Sequence, residues 1–124
     1  MAKWSNDDVM DGALDVIAAA TTLLVTSSQP ADRTAALAAA LADIAVTPGD
    51  GNGDFTIADG DTSGRKVTVA QQADFPVDTS GTATHVCLID GSRLLYVTTC
   101  TSQGLTAGNT VTVPAWDAEI ADPS

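Results

Sequence analysis

Apolar residues recur along this chain at two periods, and the change falls near residue 47. Before it, Val9, Ala13, Val16, Ile17 and Ala20 fall at spacings of three and four, with Asp8, Asp11 and Asp15 on other faces. That spacing predicts an amphipathic helix. Ser5 or Asn6 supplies an N-cap, and Asp7 and Asp8 fall in the first turn, where the helix dipole favours carboxylates. Gly12 weakens such a helix by about 1 kcal/mol relative to Ala, so tertiary packing must hold it. Residues 21–26 (TTLLVT) are β-branched and short, read as a buried strand, and end at Ser27-Ser28-Gln29-Pro30. The alanine-rich run 35–42 has the highest helix propensity in the chain, with Asp32 as a possible cap and Leu37, Leu41 and Ile44 as a narrow stripe. It predicts a short second helix.

Beyond Thr47 the composition shifts to Thr, Gly, Asp and Val, and the period becomes two. Candidate strands are 55–58, 65–71, 82–89, 94–99 and 109–113, separated by Asp/Gly/Ser/Asn turns. Short strands at such intervals predict an α+β, mainly β fold. The expected form is an antiparallel β-sandwich or barrel with an N-terminal helix and a short second helix. No low-complexity linker divides the chain, so the expectation is a single domain over 1–124. It would have a helical part 5–46, a β-rich part 47–113 and a C-terminal tail 114–124.

The hairpin around Asp90-Gly91-Ser92-Arg93 is expected to pair odd positions of one strand with even positions of the next. One face would carry Val86, Leu88, Leu95 and Val97. The other would carry His85, Cys87, Ile89, Leu94, Tyr96 and Cys100. Both faces are largely apolar, so the second must be covered by the chain's own helices or by another subunit. In that register Cys100 lies more than ~13 Å along the strand from the partner of Cys87, beyond disulfide reach. Two free thiols are expected.

Composition narrows the function classes. With 16 acidic and 5 basic residues in 124, the formal charge is -11. Nucleic-acid binding needs cations this chain lacks. A membrane span needs ~20 apolar residues, and the longest run is 35–42. The N-terminus has no apolar stretch after a basic start, so no secretory signal is expected, and a reducing compartment with it. His85 is the only imidazole, and no nucleophile elbow, zinc motif or phosphate loop accompanies it. The expectation is no enzyme and no cofactor.

The weak metal candidate is a calcium loop opening at Asp50, Asn52 and Asp54 and closing at Asp61. An EF-hand needs Gly and Glu where this chain has Phe55 and Asp61, so an ordinary turn is the favoured reading. Interface candidates are the scarce cations Arg65, Lys66 and Arg93, the strand residue Tyr96, and the aromatics Trp4 and Trp116 near the ends. The cations could instead guard strand ends. Trp4 could staple the first helix, and the tail around Trp116 could fold back or reach a neighbour.

Four phrases carry a family resemblance: WSNDDVMDGALD at 4–15, DFTIADGDTSGRKV at 54–67, SGTATHV at 80–86 and PAWD at 114–117. Together they resemble small acidic proteins of tailed bacteriophages, found among head-morphogenesis genes. The resemblance implies a virion structural role, foremost a capsid decoration (cement) protein on the outside of the head. Its partners would be the major capsid protein and itself, as a trimer first and a dimer second. A head–tail connector or tail accessory protein is the alternative, and a calcium-dependent ligand-binding module is the alternative of another class. The small side chains suit immobilisation in an assembly, because little rotamer entropy is lost.

Overall fold

In the computed structural model, which describes residues 6–121, the first N-cap is Asn6, whose side chain accepts from the Asp8 amide at 2.8 Å. Helix α1 spans Asp7–Ile17 with Asp7 and Asp8 in its first turn. The buried row of the helix is Met10 and Leu14, with Ala18 just beyond; of the expected stripe Ala20, past the helix end, is buried and Ile17 half-buried. Val9 and Val16 are 68% and 44% exposed, and Ala13 is exposed with them. Both rows satisfy a helical period. The longer Met10 and Leu14 side chains remove more apolar area from water, so packing selects their row.

Strand β1 (Thr22–Thr26) follows as expected. Asp32 caps α2 (Arg33–Ala39) by accepting from the Ala35 amide at 2.8 Å. The helix expected to run through residue 42 ends at Ala39, and Ala40–Ala45 forms strand β2 against β1. Alanine's helix propensity is a weak preference, and pairing that buries Leu41 and Ala42 at 5% and 1% exposure overrides it.

The remaining strands are β3 (Phe55–Asp59), β4 (Arg65–Val69), β5 (Gln72–Pro76), β6 (Gly81–Ile89), β7 (Leu94–Leu105), β8 (Thr110–Val113) and β9 (Trp116–Ile120). The sheet orders are β2-β1-β6-β7, β3-β4-β9 and β5-β8, and among the described residues these strands pair antiparallel. The fold is α+β and mainly β, with an N-terminal helix and a short second helix. Strands β5 and β9 were not foreseen. The Asp-Phe-Pro sequence of β5 includes Asp74 at φ 53, and β9 lies in the acidic stretch read as a tail.

The chain forms two compact units whose boundaries differ from the expected parts. Unit 1 is drawn from 1–19, 47–71 and 114–124, and unit 2 from 20–46 and 72–113. In unit 1, α1 packs on β4. The rows Phe55–Val69–Trp116 and Ile57–Val67–Ala118 run across the three strands, with Phe55, Val67, Val69 and Ala118 buried.

In unit 2 the central hairpin departs from the expected register. Ile89 pairs with Leu94, odd with even, but a bulge intervenes and Leu88 then faces Tyr96 and Cys87 faces Val97. The extra residue moves every later side chain of β7 to the opposite face. Cys87, Ile89, Leu94 and Val97 therefore share a cluster with Leu24, Ala36 and Ala40. On the other face Leu23, Val25, Val86 and Leu88 are buried within the chain. A second shift lies between Ala83 and His85.

Candidate functional site

Charged side chains converge on the β3–β4 hairpin of unit 1. Its turn returns in five residues, the Gly60 amide donating to the Gly64 carbonyl at 2.9 Å. Gly64 has φ +70, and a Cβ there would run into the Ile120 carbonyl. Only glycine lets the turn and the β9 end share that space. The turn sets Arg65 beside Asp59 across the strand pair.

Arg65 is the hub. Its Nε and Nη2 donate to the two carboxylate oxygens of Asp11 on α1, at 2.8 and 3.2 Å. Its Nη1 donates to Asp59 at 2.7 Å. This two-pronged geometry suits a guanidinium and fixes α1 against the sheet. The Asp11 hydrogen bond first, then that of Asp59, raises the Arg65 pKa further above its ordinary value.

Lys66 points to the opposite sheet face. Its Nζ lies 2.7 Å from Asp61 and 3.7 Å from Asp117, and the Asp61 bond foremost holds the ammonium above its usual range. On the same face Thr68 donates to Asp117 at 2.8 Å. The Asp61 amide donates to Glu119 at 2.8 Å.

In unit 2, Arg93 closes the Asp90 turn, with an ion pair at 2.8 Å. The Asp90 carboxylate also accepts from the Ser92 and Arg93 amides at 2.8 and 2.6 Å. The Ser92 bond foremost pulls the Asp90 pKa below the ordinary carboxylate value. Arg33 donates to the Asp90 carbonyl at 2.8 Å. Among the described residues every cation thus has an acceptor within its own unit.

The other candidates are dispersed. Asp50 accepts from the Ile57 amide at 2.9 Å, Asp54 accepts from the Thr47 amide, and Asn52 donates to the Pro48 carbonyl at 2.9 Å. Those side chains close their own loop, while Asp61 serves Lys66. Among the described residues, no group of three or more His, Cys, Asp or Glu is placed to hold a metal ion. Tyr96 is half-buried on β7 opposite Leu88. Trp116 is half-buried on β9 opposite Val69, so residues 116–120 of the expected tail pair with β4 in unit 1. Trp4 lies outside the described residues.

His85 is half-buried with its Nδ1 2.8 Å from the Thr84 hydroxyl. Cys87 is buried with its Sγ 3.7 Å from the Thr26 hydroxyl. Burial pushes both the Cys87 and Cys100 thiols up, which keeps them protonated and poorly nucleophilic. Both cysteines are free.

Sequence reasoning missed Asp11, Asp59 and Asp117 as partners of the cations, and Glu119 as the acceptor of the Asp61 amide. The first lies 54 residues from Arg65 in sequence, and only the fold brings them together. Compared with models of known protein families, with characterised proteins and with solved structures, the chain gives no match.

Proposed function

We propose that this chain is a bacteriophage virion structural protein: a capsid decoration protein that binds the outer surface of the head shell and stabilises it. Its partners in this reading are the major capsid protein and further copies of itself. The observation that carries the reading is where the family-like phrases fall. Residues 6–15 of the first lie on α1 and its N-cap, 54–67 build the β3–β4 hairpin, and 114–117 lead into β9. Three of the four thus meet in unit 1 around Arg65 and Lys66, as scaffold and ion pairs rather than reagents.

Electrostatics supports the same reading. The described cations are engaged internally, so the exterior of a chain of net charge -11 repels packaged DNA and stays soluble before assembly. Binding to the assembled shell but not to free capsid protein raises particle stability by mass action.

The test is quantitative mass spectrometry of purified particles, paired with heating of particles that lack the protein. The expected result is on the order of hundreds of copies per particle, as repeated shell positions require, and rupture of depleted heads at lower temperature. A dozen or fewer copies with unchanged heat stability would replace cement with a connector or tail accessory role. Absence from particles would overturn the virion reading.

A further inference from the structure

The chain holds three asparagines, Asn6, Asn52 and Asn109. An asparagine can react with its own backbone. When the nitrogen of the next residue reaches Cγ, a five-membered imide closes and ammonia leaves. Room at that nitrogen governs the reaction, because a Cβ on the following residue crowds the attack and glycine has none. Asn6 is followed by Asp7 and Asn109 by the β-branched Thr110, whereas Asn52 is followed by Gly53.

The loop before β3 leaves that pair open. Gly51, Asn52 and Gly53 are all exposed. The Gly51 amide donates to the Phe55 carbonyl at 2.9 Å and the Asn52 amide to the Gly49 carbonyl at 3.4 Å, while among the described residues the Gly53 amide has no backbone acceptor. Nothing stands near the place a Gly53 Cβ would take, so space around the attacking nitrogen is clear. The Asn52 carboxamide is held by an exposed hydrogen bond, Nδ2 donating to the Pro48 carbonyl at 2.9 Å. An exposed bond of this kind opens often, and each opening frees Cγ to turn toward Gly53.

We propose that Asn52–Gly53 is a self-modification site, at which the chain converts its own carboxamide to a carboxylate with water as the only co-reactant. Hydroxide takes the proton of the Gly53 amide, and the nitrogen attacks Asn52 Cγ. The Cγ–Nδ2 bond breaks, and Nδ2 leaves as ammonia after regaining a proton from water. A second water molecule then opens the imide. Cleavage between the Gly53 nitrogen and Cγ gives aspartate, and cleavage between that nitrogen and the Asn52 main-chain carbonyl carbon gives isoaspartate.

The carboxamide is both the reactant and the clasp of its loop. A carboxylate has no hydrogen to donate, so the product loses the bond to Pro48. It also places a new negative charge in the loop that carries Asp50 and Asp54, whose carboxylates hold the Ile57 and Thr47 amides. The reaction therefore loosens residues 48–53. This inference rests on the loop and not on the virion reading.

Ageing the full chain at neutral and mildly alkaline pH tests it, for as long as an unstructured peptide of residues 50–54 needs for complete conversion. Intact mass and peptide mapping that separates aspartate from isoaspartate supply the readout. The expected result is one carboxamide exchanged for a carboxyl at residue 52, isoaspartate among the products, and a rate that rises with pH. Asn6 and Asn109 should react at least about tenfold more slowly, and Gly53→Ala should slow residue 52 by a similar factor. Asn52→Gln keeps a terminal amide but demands a larger ring, and should leave the site unmodified. Amides 49–52 should exchange faster in the aged chain. An intact Asn52 at the end of that period, faster reaction at Asn6 or Asn109, or an unchanged rate in Gly53→Ala would overturn the proposal. Mapping of the unsubstituted chain decides it even if the variants fail to fold.

Discussion

The Asp43 carboxyl lies against that of Asp78, beside the seam where Leu41 and Ala42 meet residues 77–79. The hydrogen bond with Asp78 foremost, with removal from water and charge repulsion added, raises the Asp43 pKa above the ordinary aspartate value. The folded state therefore holds a proton that the unfolded state has released. Between the unfolded pKa and the raised folded one, stability falls as pH rises. Asp43→Asn removes that repulsion while keeping a hydrogen-bonding side chain. We expect it to stabilise the chain at pH 7 by a few tenths to about 1 kcal/mol, the size usual for exposed charge pairs. The gain should vanish as pH falls below the ordinary aspartate range, as thermal unfolding of both proteins across acid pH would show. Asp90 has the opposite sign. Its lowered pKa supports the fold above the unfolded value and withdraws that support in stronger acid.

Helix α1 shows how far a pattern can be read from sequence and where reading stops. Its cap, first-turn acids and existence followed from Asn6, Asp7 and Asp8, but Val9, Ala13 and Val16 of the expected stripe are exposed. Two overlapping rows had the same period, and only the sheet beneath distinguishes them. Leu14 is fully buried, so Leu14→Ala should cost about 2–5 kcal/mol in denaturant unfolding. Val16→Ala, on the exposed row, should stay within about 0.5 kcal/mol. Strands bounded by Gly, Asp and Ser turns were legible because period two and turn chemistry agree there. β2 was not, because local alanine propensity pointed to helix while pairing with β1 decided for strand. The hairpin faces were misread for a different reason: no residue type announces the bulge beside Leu95, yet it inverts the rest of β7. At the candidate site, Arg65 and Lys66 stood out by scarcity, and Asp59 and Asp61 lie in their own hairpin, whereas Asp11 and Asp117 came from distant segments with no local signal.

Across the whole molecule, acidic groups outnumber basic ones by 16 to 5. The ion pairs around Arg65 and Lys66 are partly exposed and individually small, whereas repulsion acts among all the remaining carboxylates. Raising salt from low ionic strength to about 0.5 M should therefore raise Tm, because screening relieves more repulsion than attraction. A falling Tm would mean that the pairs dominate. The interleaving of the two units carries a consequence for synthesis. All of unit 2 lies within residues 20–113, whereas the three-stranded sheet of unit 1 needs β9 at Trp116–Ile120. Translation therefore delivers every strand of unit 2 while α1, β3 and β4 still lack their last neighbour. On the ribosome, unit 2 can close first, and the helix made earliest is among the last elements to find its finished sheet.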